Sequence, residues 1–594
     1  MQHQAHTFHI PVMGIGFTID TPIKIAHYGI SSVISLVDDI LIEKMRVYYC
    51  KKFNLPFEEI TNKISDFRAK RITAYLDTVD QIVKDKFRKL INTLGEAGGE
   101  LEKYMDMLPS YSQIKTNFKE LQSKNLSIQE IKDWLSKNLS MGSIDVNIMT
   151  KLDKENYNKN QLLPVTDNDA HAALRGFANS QLSSSIVFSA GMNPRLFSYI
   201  ENFEDFYPDA NGVSKKNIIL KISDYRSALI QGKIMAKKGL FVKEYRIESG
   251  LNCGGHAFAT EGHLMGPILE EFKQKREELV NETFNLCAAA LREKGKPVPT
   301  EAPYIRITAQ GGVGTAEEHQ FLIENYNLDS VGWGTPFLLV PEVVNIDNFT
   351  LKKLSESNEK DIYLSNISPL GVPFYSLKQN TKDIERLSNI EKGRPGSACP
   401  KKYASLTKEF TEKAICSASR QYQQLKIEDL DKQNLPKEEY DKTFQKITEK
   451  SCICVGLGTS ALLVNNLSTK QEGKGVSVCP GPNMAYLTEI VSLRKMTQHI
   501  YSQSNLIKRP RPNMFVKELQ LYINYLKNKI EEFPPITLVD QKKINRFKEN
   551  LQEGIHYYNG VVDTAKEKLK SSFKGVKEEL KLYEQMLGDM IIDN

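Results

Sequence analysis

The sequence is short of the features that mark several protein classes. It has no apolar run of about 18 residues, the length a membrane-spanning helix needs, so no membrane span is expected. Residues 1–9 are polar and His-bearing, without the basic, apolar and small-residue order of a secretory signal, which predicts a cytoplasmic setting. Eight cysteines in 594 residues, with no such signal, speak against a disulfide framework. Neither sign of charge dominates: 79 Lys and Arg against 73 Asp and Glu leave +6. Basic residues alternate with acidic ones instead of forming a stripe, which speaks against nucleic acid as a partner. No internal repeat is present. What remains, 40% hydrophobic and 26% charged residues, is the composition of a globular chain long enough for more than one core.

Short apolar strand-like segments alternate with helical patterns through the first half. Strands are predicted over residues 9–13, 32–36, 145–149, 185–188, 217–222, 242–248, 304–308 and 330–333. Eight strands with helices between them predict an α/β chain built on a closed (β/α)8 barrel, the TIM barrel. The second crossover is too long, and its charged, helical-period sequence predicts an insertion whose charges form a solvated helix face. The predicted organisation is therefore strands one and two in 1–40, a helical insertion over 41–141, the rest of the barrel in 142–390, a cysteine-containing extension over 391–513 and a helical region over 514–594. That last region reads as an antiparallel helical hairpin packed on the body.

Three glycine-rich places follow predicted strands: Gly250-Leu-Asn-Cys-Gly-Gly-His256, Gln310-Gly-Gly-Val-Gly-Thr315 and Gly332-Trp-Gly-Thr335. Loops after the strands form the active face of such a barrel, and those after strands seven and eight commonly bind a phosphate. Glycine lets backbone N–H groups approach an anion closely.

With these motifs the sequence resembles the nitronate monooxygenase (2-nitropropane dioxygenase) family of FMN barrels, which also includes flavin-type enoyl reductases. Residues 249–256 correspond to the family's sixth-strand Gln-Gly-x-Glu-Ala-Gly-Gly-His, 310–313 to its Ala-Gly-Gly-Ile, and 334–337 to its Gly-Thr-x-Phe. Fainter matches are the Pro11–Gly16 turn containing Gly14, Val146-Asn147, Ser189-Ala190-Gly191 and Lys221, so the likeness covers roughly residues 8–380. It implies His256 as the catalytic proton-handling group, since an imidazole titrates near neutral pH. It implies FMN contacts at Gly14, Ser249, Gly254 and Gly255, with Gly311, Gly312, Gly332, Gly334 and Thr335 around the phosphate, and Asn147 and Lys221 facing the isoalloxazine ring. The family's Gln and Glu are Ser249 and Asn252 here. Glu248 could supply a carboxylate if it points into the barrel. Asp38 and Asp39 could line the mouth or cap a helix. His263 and His319 read as surface or helix residues.

Five cysteines, Cys399, Cys416, Cys452, Cys454 and Cys479, crowd the extension. They can be read as buried thiols or as ligands of a [4Fe–4S] cluster feeding the flavin. The expected function is an FMN oxidoreductase acting on a small or acyl-type substrate, with NAD(P)H a candidate donor and a homo-oligomer left open. Alternatives are an enoyl-thioester reductase or a subunit of lipid or polyketide synthesis, and, from another class, a non-catalytic or RNA-associated barrel.

Overall fold

A computed structural model of the chain describes residues 4–124, 126–189, 191–252, 260–532, 538–564, 573 and 575–590. Eight parallel strands close into a barrel: β1 (Phe8–Ile10), β2 (Ser31–Ser35), β3 (Ile144–Met149), β4 (Ser184–Ser189), β5 (Lys216–Ile222), β6 (Val242–Glu248), β7 (Arg306–Gln310) and β8 (Ser330–Gly332). Each pairs with its sequence neighbour and β8 returns to β1, with Phe8 opposite Val331. The (β/α)8 expectation holds. Strand β7 lies two residues beyond its predicted span. Tyr304 points out to Asp329 and stacks under Arg276, and the ladder begins at Arg306, opposite Glu244.

Side-chain alternation along β6 turns Glu244, Arg246 and Glu248 to one side. Glu244 is buried and accepts from Arg246 Nε at 2.8 Å and Thr308 Oγ1 at 2.7 Å. With His9 and Asp145 nearby, these residues give the barrel a charged layer where aliphatic packing is usual.

Between β2 and β3 come five helices: α1 (Asp39–Lys52), α2 (Phe67–Asn92), α3 (Glu100–Met107), α4 (Gln113–Gln122) and α5 (Ile128–Asn138). Helix α2 buries Ile72, Tyr75, Leu76, Val79, Ile82 and Val83, spacings of three and four that make one stripe. A small satellite core of Leu90, Leu101, Tyr104, Leu108 and Leu135 joins it to the helices that follow. Asp38 caps α1, accepting from Leu41 N–H at 2.8 Å, and also receives Lys401 Nζ at 2.5 Å. Helix α6 (Met265–Glu293) follows β6, and α7 (Ala316–Tyr326) follows β7.

After β8 the chain builds a layer over the strand C-termini. A two-stranded antiparallel hairpin, Ile362–Ser365 with Phe374–Leu377, was not anticipated from the sequence. Helix α8 (Ile453–Val464) is apolar nearly all round and accordingly buried. It lies against the turn after β1: Gly16 N–H donates to the Leu457 carbonyl at 2.9 Å, and a Cβ on Gly16 would stand 2.8 Å from the Gly458 backbone. Helices α9 (Met514–Glu532), α10 (Leu538–Thr564) and α11 (Val576–Gly588) follow and pack on one another, three helices where the sequence suggested a hairpin. One apolar cluster runs from barrel residues such as Phe8 and Ile247 through Leu457, Met484 and Phe515 to Leu551. Among the described residues no single helix is long and apolar enough to cross a membrane.

Candidate active site

A cavity of about 90 Å³ opens at the C-terminal ends of the strands. Gly14, Ser35, Asn147, Ser189, Lys221 and Glu248 line it from the barrel, and Leu370, Phe374, Cys454 and Leu457 close it from the layer above. Gly14, Asn147 and Lys221, three of the residues singled out in the sequence, thus line one cavity. Asn147 is oriented by its Nδ2, which donates to the Val187 carbonyl at 3.2 Å. Gly254, Gly255 and His256 lie outside the described residues, as does Cys253.

Glu248 does point into the barrel mouth. Its Oε1 is ion-paired with Lys221 Nζ at 2.6 Å and accepts from Gln310 Nε2 at 2.7 Å and Asn252 Nδ2 at 2.5 Å. Asn252, inside the 249–256 motif, and Glu248, which immediately precedes it, are therefore bonded to each other. Ser249 takes a different direction: its hydroxyl donates to Glu518 Oε1 of α9 at 2.6 Å. Glu518 Oε2 accepts from the Met265 N–H that opens α6, at 2.8 Å. Burial pushes the Glu518 carboxyl up to about 7.

The ends of β7 and β8 stand side by side, with Gln310 opposite Gly332. Gly311 and Gly312 have φ of +108° and +89°, values that glycine alone takes readily. A Cβ on Gly312 would stand 2.9 Å from Leu251 Cδ1, so the seventh loop is pressed onto the sixth. Among the described residues none accepts a hydrogen bond from the backbone N–H of Gly312, Val313, Gly334 or Thr335, although Gly312, Val313 and Thr335 are buried. Amides without acceptors in buried residues are rare in folded chains, and three of them, with a fourth at half-buried Gly334, stand at adjacent strand ends as a cradle suited to a phosphate. Gly332, by contrast, is embedded in the wall, where a Cβ would meet Gln310 Cβ at 2.6 Å.

The carbonyls behind this cradle are held by residues that sequence reasoning passed over. Asn483 Nδ2 donates to Gly312 O at 2.8 Å and Val313 O at 2.9 Å. Arg511 donates to Gly312 O at 2.5 Å and to Glu318 Oε1 at 2.6 Å. Thr335 Oγ1 donates to the Pro480 carbonyl at 2.8 Å. Pro480-Gly-Pro-Asn483 and Pro510-Arg-Pro-Asn513 are turn motifs whose composition was visible but whose destination was not. His319 is a correction in part: it is a helix residue, but buried, bonded to Thr7 at 2.9 Å and to the Trp333 indole at 3.1 Å.

The seven described cysteines carry free thiols. Cys399 lies beside Cys416 and Cys452, and contact with the Cys416 thiol is the leading cause pushing Cys399 up to about 11. Cys454 faces the cavity, and Cys479 is near Tyr375. Among the described residues no group of three or more His, Cys, Asp or Glu is arranged to hold a metal ion.

No protein-family model matches the chain, and no curated protein matches it. Among solved structures, the enoyl reductase domain of MlnA from the macrolactin biosynthesis cluster of Bacillus amyloliquefaciens is similar at 14% identity and a TM-score of 0.31, over 73% of this chain and 90% of that one. A nitroalkane oxidase from Streptomyces ansochromogenes is similar at 9% identity and a TM-score of 0.27, over 63% of this chain and 84% of that one. At these TM-scores neither likeness bears on chemistry, and the barrel rests on its own ladder.

Proposed function

We propose that this chain is an FMN-dependent oxidoreductase of the nitronate monooxygenase-like type, with His256 handling the proton. The observation that carries the reading is the cradle of unpartnered N–H groups at Gly312, Val313, Gly334 and Thr335, beside a cavity walled by Gly14, Asn147 and Lys221. Those residues fit the group: amides for a phosphate, and a lysine and an asparagine for the polar edge of a ring. FMN, when bound, supplies hydride transfer to and from a substrate carbon. The chain's part is to hold and orient. The amides fix the phosphate, Arg511 and Asn483 fix the carbonyls on the other side of the same loop, and Leu370, Phe374 and Leu457 give the cavity an apolar cover. His256 would remove a proton from the substrate or return one, a role worth about two to four powers of ten in rate.

The test is His256→Ala. Bound FMN should stay near wild-type stoichiometry while turnover with a neutral activated alkene falls at least about 100-fold. Unchanged turnover would remove His256 from the mechanism.

A further inference from the structure

Glu248 is held in an uneven way. All three groups that reach it, Lys221 Nζ as an ion-pair partner and Gln310 Nε2 and Asn252 Nδ2 as hydrogen-bond donors, converge on Oε1. Among the described residues none donates to Oε2, and Glu248 lines the cavity. Turning the carboxylate would break two hydrogen bonds and an ion pair at once, so Oε2 has a fixed direction. These groups come from three separate strands or strand ends, β5, β6 and β7, which makes the arrangement a property of the barrel and not of one loop.

The rest of the wall sharpens what this oxygen can do. Val12, Ile15, Met149, Leu370, Phe374 and Leu457 are apolar, so a ligand there is surrounded mostly by hydrocarbon. Lys221 is the one cation in the described wall, and its ammonium is already paired with Glu248, the two side chains being 8% and 18% exposed. An anionic ligand would meet a carboxylate oxygen with the neighbouring positive charge already engaged. A ligand bearing an N–H or O–H would find an acceptor waiting.

We propose that Glu248 is the specificity-determining residue of this cavity, its Oε2 accepting a hydrogen bond from a small neutral ligand that carries an N–H or O–H donor and disfavouring an anionic ligand of the same shape. This deepens the proposed function by naming the substrate class of its cavity, but the discrimination itself does not require the flavin.

Propionamide and propionate, matched in size and differing in the donor and the charge, are the probes, and their affinities for the full chain as purified are measured by saturation-transfer NMR titration. Wild type should bind propionamide at least about tenfold more tightly than propionate. In Glu248→Gln the preference should collapse to within about threefold, by gain of propionate as well as loss of propionamide. In Lys221→Met, which keeps the carboxylate and removes the cation, it should widen. A wild type that prefers propionate or binds neither probe would overturn the proposal, as would a Glu248→Gln chain that keeps the preference. Should Glu248→Gln fail to fold, an unwidened preference in Lys221→Met is equally decisive against it. A chain that binds no flavin yet separates the probes would sink the flavin reading and leave this one standing; a flavin-bearing chain that does not separate them would do the reverse.

Discussion

At the scale of single residues, the seventh-strand loop gives the sharpest prediction. Gly312 combines a left-handed backbone with a neighbour 2.9 Å from where a Cβ would stand. Gly312→Ala should cost about 1–3 kcal/mol of stability, read by denaturant unfolding. It should also displace an N–H of the cradle, so FMN affinity should fall about tenfold or more. Riboflavin, which lacks the phosphate, should be affected less. Equal loss for the two ligands would show that the cradle does not hold the phosphate. The glycines themselves were legible in the sequence because few other residues make such a turn. Their backing was not: Asn483 and Arg511 arrive from 171 and 199 residues away, and nothing in a local pattern announces so distant a contact.

Among elements, the contact between β6, α6 and α9 behaves as one titrating joint. Glu518 reaches from α9 to the Ser249 hydroxyl after β6 and to the first amide of α6. Its carboxyl is held at about 7 by burial, above the usual value of 4.5. A carboxyl raised in this way contributes stability that is complete below about pH 4.5 and is lost as pH rises through about 7. Glu518→Gln removes that dependence while keeping an acceptor for Met265. The variant should therefore gain on wild type by roughly 3 kcal/mol between pH 4.5 and pH 8, followed by urea unfolding at each pH. A difference that stays flat across that range would show that Glu518 does not titrate there.

The eight barrel strands were readable because short apolar runs bounded by turn residues recur between helical patterns, and the long stripe of α2 was readable for the same kind of reason. The hairpin of Ile362–Ser365 and Phe374–Leu377 was not, since its eight residues carry no tight-turn dipeptide between them and its partner surface is the barrel mouth. Ser249 shows the same limit at the site. Its position in the motif suggested a cofactor contact, while its hydroxyl is engaged by a helix about 270 residues later in the chain.

For the whole molecule, the layer after β8 is part of the site and not an appendage. Leu370, Phe374, Cys454 and Leu457 complete the cavity, Pro480 and Asn483 brace the loops after β7 and β8, and a single apolar cluster spans barrel and layer. The measurement that tests the central claim most directly is the absorbance spectrum of the purified full-length chain from 300 to 700 nm, with the cofactor identified after heat release. The account predicts flavin bands near ~370 and ~450 nm and FMN in the released fraction. A colourless chain that also fails to bind added FMN would contradict it.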